Sequence, residues 1–215
     1  MPIRVYDHRA DLANLIVHPA IRSRFRRVEP GPAPRMHSHD IAGEIFIVLA
    51  GRCEFLIEDE AVTLTAGQLL YVEPKLRHAL HAVGDEECII YLSVTPHVEP
   101  THTLYDADDN LLPPQYGTWR GTEPDPQPDT STADLAEAHA VAAERLADIA
   151  RRHADAVRQR RRAVVVAADT GDQPTLKALT DESWFELRDL LIQLDTLELA
   201  WNHLAPRAMP GKTRG

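Results

Sequence analysis

Four side chains stand at spacings that suit one metal ion: His37, His39, Glu44 and His78. His37 and His39 are two residues apart, so on an extended segment both imidazoles leave the same face of a strand and can chelate one ion together. Glu44 heads the run Glu44-Ile45-Phe46-Ile47-Val48-Leu49, which reads as a strand closed by Ala50-Gly51. If Glu44 points inward, Phe46 and Val48 share its face, while Ile45, Ile47 and Leu49 take the other. Both faces are apolar, so this strand is expected to be covered on both sides. The third imidazole, His78, follows a second block made of Gly67, a short strand over 69–72 and Glu73-Pro74. His81 falls on the face opposite to His78 and is not expected to ligate. Three imidazole nitrogens and one carboxylate suit a first-row divalent ion (Fe, Mn, Ni, Zn, Co or Cu), because thiolates are missing from the set and an all-oxygen shell is not available. Four protein ligands on an octahedral ion leave two positions, enough for a bidentate substrate or for substrate plus dioxygen.

At these residues the chain resembles the cupin family. The family's first motif is a glycine, five residues, His-x-His, four residues, Glu, six residues and Gly; Gly31, His37, His39, Glu44 and Gly51 fill every position. The second motif is matched at Gly67 and His78, while Glu73, Lys75 and Ala82 stand where Pro, Gly and Asn are usual. These departures touch the turn before His78 and no ligand, since Lys75 enters a positive-φ turn less freely than glycine. The resemblance covers residues 21–95 and implies a small antiparallel jelly-roll barrel with the metal inside. It points first to a dioxygenase-like oxidoreductase acting on a small organic molecule, and it does not identify a reaction. The same site serves a Lewis-acid role in isomerase, lyase or hydrolytic chemistry equally well. A reading of another class is a non-catalytic binding or sensor protein whose helical part signals to a partner. No helix-turn-helix pattern is present, which argues against a transcription factor.

The fold class expected from these elements is mainly β with an α-helical extension. A lead-in (1–20) precedes the barrel (21–112), and a Pro-rich linker (113–130), a helical hairpin (131–206) and a disordered tail (207–215) follow. In the lead-in, Leu12, Leu15 and Ile16 can form one helical turn before Pro19 interrupts it. Residues 21–28 alternate Ile21, Ser23 and Phe25 against Arg22, Arg24 and Arg26, which reads as a half-exposed strand. Residues 53–57 and 61–65 make a hairpin about Glu58-Asp59-Glu60, and 88–94 closes the barrel. The segment 95–102 has two readings. It is a surface loop held by two prolines, or it folds over the barrel mouth and offers His97, Glu99 or His102 as acid/base groups. Tyr116 and Trp119 are expected to anchor the first half of the linker.

From Ser131 the composition changes. Leu135, His139, Ala142, Leu146, Ile149, His153 and Ala156 alternate steps of four and three, the pattern of a long amphipathic helix capped by Ser131 or Thr132. A break at 169–172 precedes a second helix, for which Ser183 and Glu186 form a capping box and Leu187, Leu190, Leu191, Leu194, Leu197, Trp201 and Leu204 form the stripe. An antiparallel hairpin would set Arg158, Arg161 and Arg162 near Asp181, Glu182, Glu186 and Asp189. The run Arg158, Arg160, Arg161 and Arg162 is read as a solvated face in preference to a nucleic-acid patch. His139, His153 and His203 are read as helix-surface or interhelix residues.

A net charge of −10 over 215 residues excludes nucleic acid as the main partner, because polyphosphate binding relies on a positive field. No run of 18 apolar residues is present and the start lacks an apolar run after a basic cluster, so a membrane is not expected as a partner and the location expected is cytoplasmic. Two cysteines in a chain of this length, Cys53 and Cys88, make no disulfide framework and read as reduced core residues. The apolar faces of the Glu44 strand and the Leu/Trp stripe exceed what one barrel hides. Besides a small-molecule substrate, the partner expected is a second copy in a homodimer.

Overall fold

The computed structural model describes residues 3–117 and 126–209. Trp119, the adjoining part of the linker to 125, and the tail from 210 lie outside the described residues. The chain divides into two compact units, a β unit and a helical unit over Pro126–Leu204.

The β unit is two antiparallel five-stranded sheets of jelly-roll type. The first has the order β1 (Asn14–His18), β2 (Ile21–Val28), β9 (Cys88–Thr95), β4 (Gly43–Ala50) and β7 (Leu69–Val72). The second runs β10 (Thr103–Leu104), β3 (His37–Ser38), β8 (His78–Ala82), β5 (Arg52–Ile57) and β6 (Glu60–Thr65). The expected helical turn at Leu12, Leu15 and Ile16 is instead strand β1. Its β-branched Ile16 and Val17 pair with Ser23 and Arg22 along the sheet edge, where ladder bonds outweigh one isolated helical turn. Side-chain parity on β4 follows the alternation: Glu44, Phe46 and Val48 are buried, while Ile45, Ile47 and Leu49 are half-buried. The outer side of this strand is thus only partly covered within one chain. The inner faces of the sheets meet in an apolar core of Phe46, Val48, Phe55, Leu80, Ile90 and Leu92. Cys53 and Cys88 are free thiols buried in that core.

Strand β2 reverses the expected exposure at one end. Arg22 lies opposite Val94, one of the most buried residues of β9, and is itself only 2% exposed. The arginine-bearing face therefore turns inward here.

The helical unit is an antiparallel hairpin of α1 (Thr132–Thr170) and α2 (Gln173–Leu204), turned at Gly171, whose left-handed φ of 67° ends α1. Ser131 caps α1 by accepting the Asp134 N–H, as its residue type requires. Leu135 and Ala142 are buried and His139, Leu146, Ile149, His153 and Ala156 half-buried, which is the stripe read from the spacing. The capping box at Ser183 and Glu186 is not a helix start. Asp172 accepts the Thr175 N–H at 3.2 Å and Pro174 tolerates a first-turn position, so α2 begins ten residues earlier. Ser183, mid-helix, donates to the Leu179 carbonyl.

The facing stripe of α2 is also shifted by one residue. Leu176, Leu179, Leu190 and Leu197 are half-buried, whereas Leu187, Leu191 and Leu194 are 37–48% exposed. Polar contacts explain the phase: Glu186 and Gln193 lie on the side toward α1, where Gln193 donates to the Ala142 carbonyl. The interhelix cation is Arg160, paired with Glu182 at 3.2 Å and with both carboxylate oxygens of Glu186. Arg158 pairs with Asp155 on its own helix, while Arg161 and Arg162 are exposed. His139 stacks near Trp201, His153 approaches Glu186 at 3.7 Å and His203 meets Gln127, so all three serve the helical unit's own packing. A 3-10 turn at Ala205–Ala208 occupies the start of the expected tail. Among the described residues no helix is long and apolar enough to cross a membrane.

Candidate metal centre

The two sheets deliver the four expected ligands to one point. The β3–β8 ladder sets His37 directly opposite His78, with ring centroids 4.4 Å apart. His39 follows β3, and Glu44 comes across the interior from β4. One ligand atom from each of His37, His39, Glu44 and His78 lies within 4.8 Å of all the others. Bonds of about 2.1 Å to a first-row ion separate neighbouring ligand atoms by about 3 Å and opposite ones by about 4.2 Å, so the cluster has the right dimensions.

Hydrogen bonds fix the orientation of two of the imidazoles. His39 Nδ1–H donates to the Thr101 carbonyl, and His78 Nδ1–H donates to the Leu76 carbonyl at 3.0 Å. Each Nε2 then points at the same carboxylate oxygen, Glu44 Oε2, at 2.9 Å from His39 and 3.0 Å from His78. A ring that has given its Nδ1 proton to a carbonyl presents an acceptor at Nε2, and an acceptor facing a carboxylate oxygen requires positive charge between them. At His78 a proton meets that need in the absence of an ion. Burial pulls His78 down, but the hydrogen bond to Glu44 and its charge outweigh it and hold the imidazole above its ordinary value. Burial raises the Glu44 carboxyl, and the bonds from His39 and His78 overcome this and hold it well below the carboxylate range. His37 is different: burial, with the neighbouring His78 and His102, pushes it down to about 2 and leaves a neutral ring with a lone pair to give. One divalent cation satisfies three nitrogen lone pairs and the carboxylate together.

The turn before His78 keeps its shape despite the unusual residue. Lys75 adopts φ 73°, the left-handed conformation for which glycine is usual, and its N–H donates to the His39 carbonyl at 2.8 Å. His81 meets Glu54 at 3.4 Å, on the face away from His78.

Segment 95–102 is not a surface loop. His97, Glu99 and Thr101 are buried, and the Thr101 carbonyl holds His39. Of the three acid/base candidates on it, His102 joins the cluster, its ring 4.8 Å from His37 and 5.0 Å from His39. Glu99 accepts the Gly117 N–H at 3.0 Å and the His97 N–H donates to the Pro19 carbonyl, contacts that tie the segment in place. Arg22 is buried on the inner face of β2, a position set by a strand register that local alternation does not reveal.

Residues 24–95 match the family model described as Cupin domain. Among solved structures, an uncharacterized conserved protein with a double-stranded beta-helix domain from Klebsiella pneumoniae subsp. pneumoniae is similar at 17% identity, over 43% of this chain and 84% of that one, with a TM-score of 0.39. A cupin 2 domain-containing protein from Halorhodospira halophila is similar at 29% identity, over 42% and 62% of the two chains, with a TM-score of 0.37. A Cupin 2 conserved barrel domain protein from Salinispora arenicola is similar at 26% identity, over 44% and 88%, with a TM-score of 0.37. No curated protein matches the sequence.

Proposed function

Residues 24–95 form a cupin domain, and we propose that it binds one first-row divalent ion through His37, His39, Glu44 and His78 and works as a dioxygenase-like oxidoreductase on a small organic molecule. The observation that carries this reading is the pair of imidazoles whose Nδ1 protons are committed to backbone carbonyls while both Nε2 atoms converge on Glu44. When bound, the ion supplies Lewis acidity and, as iron, a binding position for dioxygen beside the substrate. The chain's own residues prepare that position. Glu44 offsets one unit of the ion's charge, and the Thr101 and Leu76 carbonyls hold His39 and His78 so that little reorganisation accompanies binding. Phe46 stands edge-on to His78 at 6.0 Å, where the apolar core adjoins the site.

Metal analysis of protein purified without an affinity tag is expected to give one equivalent of a transition metal. The anaerobic iron(II) form is then exposed to nitric oxide, a dioxygen surrogate, and its electron paramagnetic resonance spectrum recorded. A spin-3/2 iron–nitrosyl signal supports an open position for dioxygen, and oxygen-uptake screening identifies the substrate. Protein that retains no transition metal overturns the metal reading. A loaded iron form that gives no nitrosyl signal removes the dioxygenase reading and leaves Lewis-acid chemistry.

A further inference from the structure

The outer face of the sheet that carries the imidazoles holds a hydroxyl pair. His37 and His39 turn inward to the cluster, so Ser38 between them leaves by the opposite face. It is nevertheless only 1% exposed. The β10–β3 ladder pairs Thr103 with Ser38, and paired residues share a face, as does Tyr105 two positions on. Ser38 Oγ and the Tyr105 hydroxyl share a hydrogen bond of 2.9 Å in which either group can donate.

Tyr105 is itself held by residues that adjoin the ligands. Arg35, two residues before His37, donates to the Tyr105 carbonyl at 3.1 Å. Arg77 immediately precedes His78, and its guanidinium lies 4.3 Å from the centre of the Tyr105 ring and pairs with Asp109. The Arg77 N–H donates to the Glu58 carboxylate at 2.7 Å, which ties the same residue to the β5–β6 turn. One side chain therefore touches, from outside the barrel, both strands that present imidazoles to its interior. His39 and His78 are oriented by ring hydrogen bonds to carbonyls, and through Ser38 the backbone beside His37 is fixed as well.

We propose that Tyr105 is a positioning residue for the metal centre: its hydroxyl locks Ser38, its ring seats Arg77, and together they hold β3 and β8 at the separation that one ion requires. The ion's place in this proposal rests on the metal reading given above. Tyr105 touches no ligand atom and acts only through the backbone of the two strands. Such outer partners matter because a ligand set binds tightly only when its members are held close to the bound geometry before the ion arrives.

The test measures zinc affinity of the full chain by competition with a chromophoric chelator, and the Tm of the metal-free protein beside it. Tyr105→Phe keeps the ring against Arg77 and deletes only the hydroxyl. It is expected to bind zinc about tenfold more weakly than the wild type while still taking up one equivalent. Ser38→Ala removes the other half of the pair, is expected to lose as much, and is the variant to read if Tyr105→Phe does not fold. The double variant is expected to bind no more weakly than either single one, because the same bond is lost in all three. Ile90→Val, in the fully buried core, is the control that lowers Tm and is expected to leave zinc affinity unchanged. Wild-type affinity in Tyr105→Phe, a double variant that multiplies the single losses, or an equal loss in Ile90→Val overturns the proposal. If the wild type takes up no zinc, the metal reading fails, and the clamp is read by amide hydrogen exchange on metal-free protein. Faster exchange over residues 36–39 in Tyr105→Phe than in Ile90→Val then sustains it, and equal exchange ends it.

Discussion

Replacing His78 with alanine isolates the energetic link between the ion and the fold. His78 is 1% exposed, stacks on His37 at 4.4 Å and meets Phe46 at 6.0 Å, so His78→Ala leaves a hole and lowers stability even without metal. The informative quantity is accordingly the metal-induced shift within each protein. An ion that binds only the folded state adds about 2.7 kcal/mol when its free concentration is a hundred times Kd. For a chain of this size each kcal/mol moves Tm by about 2–4 °C, so saturating metal is expected to raise the wild-type Tm by about 5–11 °C. With one of the four donors gone, the remaining site binds more weakly, and at the same metal concentration the shift is expected to fall to a small fraction. Scanning fluorimetry with and without each candidate ion, in matched chelator-treated samples, reads both numbers. His81→Ala is the control: its ring meets Glu54 on the other face, and the full shift is expected to persist. A His78→Ala protein that keeps the wild-type shift, or a His81→Ala protein that loses it, refutes the ligand assignment.

The turn at Lys75 predicts a stabilising change. The left-handed conformation costs a non-glycine residue about 1–2 kcal/mol, glycine returns about 0.5–1 of that as extra chain entropy, and Lys75→Gly is expected to gain up to about 1 kcal/mol, read as a higher urea midpoint with an unchanged slope; a lower midpoint contradicts the strain. In the helical unit, the hydrogen bond and charge of Arg160 hold Glu186 below its ordinary value of 4.5. A depressed carboxylate contributes stability that is present above that ordinary value and lost as pH falls below it, so the deficit of Arg160→Ala is expected at neutral pH and should close in acid. Arg161→Ala should track the wild type throughout, and a deficit for Arg160→Ala that is the same on both sides of 4.5 removes the pairing as its cause. The outward side of α2 exposes Trp184, Phe185, Leu191 and Ile192, an apolar face that a second copy would cover. Sedimentation is expected to show a dimer that Leu191→Glu dissociates, whereas a wild type that stays at 24.0 kDa at micromolar concentration rules it out.

What the sequence reveals here divides along one physical line. His37, His39, Glu44 and His78 were readable because a ligand set is a matter of residue type and spacing, and the strands between them alternate so clearly that each side chain's face follows from period alone. Lys75 marks the limit of reading by residue type: the turn keeps its left-handed shape because the hydrogen bond to the His39 carbonyl and the placement of His78 outweigh a local penalty of about 1–2 kcal/mol. Period tells which residues share a face but not where that face looks. The alternation of Ile21, Ser23 and Phe25 with Arg22, Arg24 and Arg26 was legible, yet a rule that sends arginine to water placed Arg22 outside, and only its pairing with Val94, which pairs in turn with Glu44, shows that it is inside. The same ambiguity shifted the α2 stripe, because Glu186 and Gln193 interrupt the leucines on the face that α1 covers. In both places the errors concern polar residues on a covered face, where burial is costly unless a partner is supplied. On α2 the partners are Arg160 and a backbone carbonyl, which explains the face completely. At Arg22 the covered face is the one that also carries Glu44, which strand pairing shows and local alternation cannot.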